Sequence, residues 1–365
     1  MTTSTRSFLA SSRVLKEFAE HCFIACGCIA EHAATVAANL VRADLRGIES
    51  HGVTRIPIYV ERLLRGAVAP RPELRVERQD GGCAVVDGGN GPGAVVSCFA
   101  NSVAIDLARS NGIGFVATRR SNHNGIASYY TMQTARQGMI GMSATNAARS
   151  LVVWGARESA LGANPMSYAV PAGRYDTIVL DMSSTVVARG KIVERAKRGE
   201  TIPEGWAIDR HGRPTTDARE GEAGFVLPFA GPKGSGFAMI VDILGGVLSG
   251  ANYGRRIPNL YHDFENAQNI GHCFMAIDVA RFMPLDAFIA RVEDMIAALK
   301  SAIRAEGVEE ILMPGEPERR TELQRRAEGI PVPANVVADL HETAERLRVP
   351  LPEFVPAREA KTHVA

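Results

Sequence analysis

The sequence predicts an α/β protein of the α+β kind, in which a sheet-rich middle is inserted between helical ends. Three observations carry that reading. Residues 12–66 space their apolar side chains by three and four, as in "VLKEFAEHCFIACGCIAEHAATVAANLVRADLRG". From residue 83 the texture changes to short β-branched runs separated by glycine. Helical spacing then returns at 284–305 and around 318–348. A chain of 365 residues exceeds what one core usually organises, so more than one domain is expected. The boundaries follow the texture: a helical domain over 1–75, packed with helices of 318–365, and a sheet-rich domain over 76–317.

Taken in order, the Ala-rich N-terminal stretch reads as several packed helices, and "AVAPRPELRV" breaks them with two prolines. Strands are expected in "CAVVDGGNGPG", "GIGFVATRRSNH", "GMIGMSATNAA", "NPMSYAVPA" and "DTIVLDMSS", with covering helices at 94–110 and 126–137. A polar loop region with one short helix follows. In "GFVLPFAGPKGSGFAMIVDILGGVLSGA" a Gly-rich turn leads straight into an apolar helix. One more strand, "HCFMAIDV", precedes the closing helices. The chain has no internal repeat and no low-complexity tract.

Charge excludes some partners. The 41 basic side chains nearly cancel the 40 acidic ones, so nothing draws nucleic acid or an anionic membrane electrostatically. No apolar run reaches the length of a membrane span, and "MTTSTRSFLASSRVLKEF" lacks an apolar signal core. The six cysteines form no C-x-x-C pair, which favours reduced thiols in a cytoplasmic protein. The nine histidines include no H-E-x-x-H, and no metal site is expected.

The stretch "RGIESHGVTR" puts Ser50, His51 and Arg55 within six residues. If it continues as a helix into "IPIYVERLLRG", His51 and Arg55 lie one turn apart on one side and can both meet a small anion. Arg suits a carboxylate through a two-pronged bond, and a histidine titrates near neutrality. The alternative is a helix cap, a half-buried spacer and a solvated charge. Ser50 and His51, being adjacent, are expected to point apart, and no G-x-S-x-G elbow is present, so serine hydrolysis ranks low.

Two glycine clusters invite phosphate. Gly89-x-Gly91-x-x-Ala94 nominally fits a dinucleotide turn, yet Pro92 replaces an amide and Asp87 opposes a phosphate; Arg119 or Arg120 would have to hold a 2′-phosphate. In "AGPKGSGFAMIVDIL", Lys233 stands in the turn before a helix, an anion-binding arrangement without Walker spacing. His123 in "RRSNHNGIASYY" lies just past a strand, where sites form in α/β sheets, or it merely packs in a capping loop.

Together these segments resemble the type 2 malate/L-lactate dehydrogenase family, which includes ureidoglycolate and sulfolactate dehydrogenases and cyclic-imine carboxylate reductases. The likeness runs through "ADLRGIESHGVTRIPIYVERLLRGAV", "SNHNGIASYY", "LGANPMSYAVP", "VLDMSSTVVARGKI", "IPEGWAIDRHGRPTTD", "LPFAGPKGSGFAMIVDILGGVLSGA", "AIDVARF" and "LMPGEPE". It implies a mixed-sheet cofactor domain that is not a Rossmann fold, so the glycines of 88–93 revert to structure. It also implies NAD or NADP as cofactor, a small-molecule carboxylate as substrate and a homodimer.

Carried over residue by residue, the resemblance makes His51 the proton donor with Ser50 as its hydrogen-bonding partner. Arg55 becomes the substrate clamp and His123 a second catalytic candidate at the nicotinamide. Asp181, Met182, Ser183, Lys233, Pro314, Gly315 and Glu316 would line the cofactor. Two departures matter. Many relatives read G-T-N-P where this chain has Gly162-Ala163-Asn164-Pro165, and often a serine where it has Ala147. The pocket is then more apolar, which favours a small keto acid or a cyclic imine carboxylate over a polyhydroxylated substrate. A catalytically idle metabolite-binding homologue is the remaining alternative.

Overall fold

The computed structural model describes residues 7–356. The chain divides into two compact units. One comprises residues 1–66 and 317–365, the other residues 67–316.

In chain order the first segment holds β1 (Ser7–Ala10), α1 (Ser12–Ala25), α2 (Ala30–Leu45) and α3 (Ile56–Leu64). Ser11 caps α1 by accepting from the Val14 amide, so the first helix starts where a hydroxyl meets its orphan N–H. The middle holds β2 (Arg75–Asp80), β3 (Cys83–Asp87), α4 (Gly93–Asn111), β4 (Ile113–Ser121), α5 (Ser128–Ala135), β5 (Met139–Thr145), β6 (Leu151–Val152) and β7 (Ser159–Leu161). It continues with β8 (Met166–Pro171), β9 (Thr177–Met182), α6 (Arg189–Arg198), β10 (Ala207–Ile208), β11 (Pro214–Thr215), α7 (Ala218–Ala223) and β12 (Phe225–Val226). Then come α8 (Pro232–Asp242), β13 (Ile270–Asp278) and α9 (Leu285–Lys300). The closing segment is α10 (Glu316–Glu328), β14 (Ile330–Pro333), α11 (Ala334–Leu347) and β15 (Val355–Pro356). Among the described residues no helix is long and apolar enough to cross a membrane.

In the first unit β1 pairs antiparallel with β14 and β15, so the two ends of the chain share one small sheet. Helix α2 is tied to α10 by buried charge. Glu322 receives Arg42 Nη1 at 2.5 Å and Arg326 Nη2 at 2.8 Å, with Arg46 Nη1 at 3.5 Å. A carboxylate this buried is tolerable because three guanidinium groups surround it.

The second unit is built on a seven-stranded mixed sheet in the order β2-β3-β4-β13-β5-β8-β9. Strand β13 lies at its centre and is covered on both faces, and alternation along it shows by what. Phe274 and Ala276 join Val86, Ala100, Ala104 and Tyr130 in the core under α4 and α5. Cys273 and Met275 join Met142, Met166 and Val241 on the α8 face. A satellite five-stranded sheet, β11-β10-β12-β6-β7, has its own small core of Ile192, Ile202, Ala207 and Val226.

Strand direction creates one edge of consequence. β3 runs parallel to β4, while β4, β13, β5, β8 and β9 alternate antiparallel. The carboxyl ends of β3, β4, β5 and β9 therefore share an edge with the starts of β13 and β8. Loops leaving such an edge are where α/β sheets place ligand groups. The glycines of 88–93 lie there too, but their turn is occupied by protein. A Cβ on Gly89 would fall 2.7 Å from the Glu73 carbonyl, and Asp87 is paired with Arg75 and Arg120. Arg119 is paired with Glu77. The dinucleotide turn considered for Gly89 and Gly91, with Arg119 or Arg120 on a 2′-phosphate, is corrected by these contacts.

Candidate active site

Two polar constellations form, one in each unit. In the first, residues 46–55 do not continue as a helix into α3. Two 3-10 turns, Glu49–His51 and Val53–Arg55, meet at Gly52, whose ψ of −148° breaks helical winding. The expected one-turn spacing of His51 and Arg55 on a single helix is thus wrong, and the turns bring the groups together differently. Arg55 Nε donates back to the Ser50 carbonyl at 2.7 Å. Ser50 Oγ stands 2.9 Å from His51 Nδ1, although neighbouring side chains were expected to diverge. Both atoms lie close to the backbone, and a tight turn lets them close a short ring.

Burial lowers the His51 pKa to about 4, and the nearby Arg55 charge pushes the same way. Burial also lowers that of Arg55, while Tyr59 opposes it. Tyr59, in α3, is a neighbour that motif reading missed. Its phenol is pushed up by burial against the pull of Arg55, so it stays a neutral donor. Its signal was available, since it follows Arg55 by four residues at the start of a helix. Asp44 was missed too. It is an acid on the apolar stripe of α2, among Ala33, Ala37, Leu40 and Val41.

In the second unit, His123 sits half-buried in the loop after β4, where its Nδ1 accepts from the Gly125 amide at 3.4 Å. The loop is clamped on both sides. Asn122 Nδ2 donates to the Gly91 carbonyl at 2.9 Å, Asn124 Nδ2 to Ser97 Oγ at 3.1 Å, and the Tyr130 hydroxyl to the Asn124 carbonyl. Asp181, near the end of β9, accepts from the Ser128 amide at 2.9 Å and so caps α5, the helix that follows the His123 loop. Met182 pairs with Met166, and Ser183 Oγ lies 2.7 Å from Thr185 Oγ1. His123, Asp181, Met182 and Ser183 thus share the carboxyl edge.

Lys233 is exposed in the first turn of α8. The Phe229 amide before that turn donates to the Ser184 carbonyl, which ties the lysine's loop to Ser183. Pro314 and Gly315 lie farther back along β9: the Val179 amide donates to the Pro314 carbonyl at 2.9 Å. Gly315 has φ +91°, and a Cβ there would meet Val179. Glu316 gives its carboxylate to Lys300 Nζ at 2.8 Å and to the Met313 amide, so it braces the loop.

His272 is the largest omission from the sequence reading. It is fully buried, with Nε2 at 2.7 Å from Ser121 Oγ and Nδ1 at 2.7 Å from Thr145 Oγ1. It bolts the ends of β4 and β5 together, and burial lowers its pKa to about 3. Ala147 and Ala163 meet at the same edge through Asn164. The Ala147 amide donates to Asn164 Oδ1, and the Ala163 carbonyl accepts from Ser184. Among the described residues no cluster of three or more His, Cys, Asp or Glu is gathered for a metal ion.

Comparison with known proteins agrees on one family. The model of the malate/L-lactate dehydrogenase family matches residues 10–341. A malate dehydrogenase of Pyrococcus horikoshii is 40% identical over 327 residues, covering 87% of this chain and 90% of that protein. A ureidoglycolate dehydrogenase (NAD(+)) of Escherichia coli O157:H7 is 35% identical over 322 residues, covering 88% and 92%. The solved sulfolactate dehydrogenase of Methanocaldococcus jannaschii superposes with a TM-score of 0.90 at 35% identity, covering 94% of this chain and 98% of that one. The chain belongs to the malate/L-lactate dehydrogenase family.

Proposed function

We propose that this protein is an NAD- or NADP-dependent oxidoreductase that moves a hydride between the cofactor and a small 2-oxo or 2-hydroxy acid. The observation that carries the reading is the Ser50–His51–Arg55 turn. It holds an imidazole, oriented through Nδ1, beside a guanidinium fixed through Nε. With Nδ1 engaged by Ser50, Nε2 is the nitrogen assigned to the substrate oxygen. Arg55 takes the substrate carboxylate, which places the neighbouring carbon.

The carboxyl edge of the sheet fits a nicotinamide dinucleotide. Asn122 Oδ1 and Ser128 Oγ are buried there without a hydrogen-bond partner, next to His123 and Asp181, and a polar ring answers them. Lys233 and the start of α8 suit the diphosphate. When bound, the reduced cofactor supplies the hydride. His51 handles the proton: it takes it from the hydroxyl during oxidation and returns it to the oxygen during reduction. With a pKa near 4 the imidazole is neutral at pH 7, which suits the acceptor role. A substrate carboxylate on Arg55 offsets the guanidinium charge and raises that pKa toward the donor role.

The methyl groups of Ala147 and Ala163 favour a small, weakly hydroxylated acid. The test is a panel of 2-hydroxy acids, 2-oxo acids and cyclic imine carboxylates with both cofactors, read at the nicotinamide absorbance. A 2-hydroxy or 2-oxo acid that turns over, with at least 100-fold loss in His51→Ala, supports the reading. Turnover confined to cyclic imines, or none with any acid despite cofactor binding, overturns it.

A further inference from the structure

We infer that Asp44 is a positioning residue for the chemistry proposed at His51: its buried carboxylate is the template on which the Gly52–Val53 corner folds. The inference rests on the reading of His51 and Arg55 given above. Asp44 comes from the last turn of α2 and is 3% exposed. Its Oδ2 accepts from the Val53 amide at 2.8 Å. Its other face lies against Gly52 so closely that a Cβ at position 52 would fall 1.7 Å from Asp44 Oδ1. That distance is impossible for any side chain, so the glycine after His51 is required by this carboxylate.

The consequence is geometric. Gly52 and Val53 are the hinge between the turn that ends in His51 and the turn that ends in Arg55. A carboxylate that holds both residues of the hinge fixes the angle between the two turns, and with it the separation of imidazole and guanidinium. The neighbouring charges are held as well. Arg325 donates to the Asp44 carbonyl through Nη1 and to Glu49 through Nη2, which anchors the first turn from α10. Burial, with Glu49 adding, raises the Asp44 pKa to about 7 against the Val53 amide and Arg325. Both carboxyl and carboxylate forms keep an acceptor for Val53, so the template survives protonation.

The experiment compares Asp44→Ala, Asp44→Asn, Gly52→Ala and the double variant Asp44→Ala/Gly52→Ala in the full-length protein. Malate with oxidised NAD is the probe pair, or the acid of the panel that turns over fastest. Displacing the hinge moves the imidazole and the guanidinium by about an ångström, so Asp44→Ala and Gly52→Ala should each lose roughly 100-fold in kcat. The KM for the acid should rise with that loss while the KM for the cofactor holds. Asp44→Asn keeps an oxygen for the Val53 amide and should recover at least about tenfold of the loss. In the double variant the methyl group finds the space vacated by the carboxylate, so its loss should stay well below the product of the single losses.

A merely structural role reduces the active fraction and leaves both KM values alone, and that result overturns the inference. So does a fully additive double variant, or an Asp44→Asn as impaired as Asp44→Ala. If Asp44→Ala does not fold, Gly52→Ala carries the same KM comparison. A normal Asp44→Ala beside a crippled His51→Ala sinks only this inference, whereas a fully active His51→Ala sinks the functional reading beneath it.

Discussion

His51 and His272 are both depressed in pKa by burial, yet they are held in opposite ways. His272 is locked by tertiary structure, each ring nitrogen on a hydroxyl from a different strand. His51 is held by its own sequence neighbour, on a turn only three residues long. An imidazole sealed between strands ends β4 and β5 in a fixed register and has no geometry left for exchange. The imidazole of His51 takes its Nδ1 contact from the adjacent Ser50, so a short turn and not a strand register orients it. Burial alone therefore does not tell the two histidines apart, and the role proposed for His51 rests on the pattern of its partners.

The sharpest way to break the comparison is to truncate both rings. His51→Ala should lower kcat by about two to four orders of magnitude if it supplies general acid-base catalysis, and steady-state turnover measures it. His272→Ala should instead lower the thermal midpoint while the surviving fraction keeps its KM for the acid. A smaller effect sharpens the substrate end. Arg55→Lys loses the planar fork and the Nε bond to the Ser50 carbonyl, and its KM for the acid should rise roughly 10- to 100-fold with a lesser change in kcat. An unchanged KM would place the carboxylate elsewhere.

What could be read from sequence follows the same division. Local signals were legible. The covering helices over 94–110 and 126–137 appear as α4 and α5, and the strand "HCFMAIDV" falls in β13 except for its last residue, Val279, which starts a 3-10 turn. Ser50, His51 and Arg55 announced themselves by adjacency. The break at Gly52 did not, because it is imposed by Asp44 eight residues earlier in α2, and periodicity carries no information about a carboxylate filling the place of a Cβ. His272 looked like one polar residue in an apolar strand. Its meaning depends on Ser121 and Thr145, more than a hundred residues away, and so on a strand order that the sequence does not state. Tyr59 and Asp44 were within reach of helical spacing, once α3 and α2 were placed.

Proton linkage gives an intermediate effect. With His51 near pKa 4 before substrate binds, the protonated fraction falls tenfold per pH unit above that value. The reductive kcat/KM should therefore drop by about tenfold per unit between pH 6 and 8, while the oxidative kcat/KM stays flat over that range. Matching pH-rate profiles in both directions measure this. A reductive profile level to pH 7 would show that the imidazole of the free protein titrates near its ordinary value.

The smallest expected effect concerns His272 and stability. Its folded pKa, near 3, lies below the unfolded value near 6.5, so the unfolded chain binds more protons between those limits. The stabilisation tied to the neutral ring is fully present above pH 6.5 and fades as pH falls toward 3. Each unit in that window costs the wild type at most about 1.4 kcal/mol through this residue. His272→Gln keeps hydrogen-bonding atoms and removes the titration. Its urea midpoint should be lower than that of the wild type at pH 7.5, and the gap should narrow at pH 4.5. His51→Gln removes a titration of the same sign over the narrower window from 6.5 to 4, so it narrows the gap less. If His272→Gln shows the wild-type slope, the ring takes up its proton without unfolding the protein, and the contrast between an imidazole sealed between strands and one held on a short turn loses its physical basis.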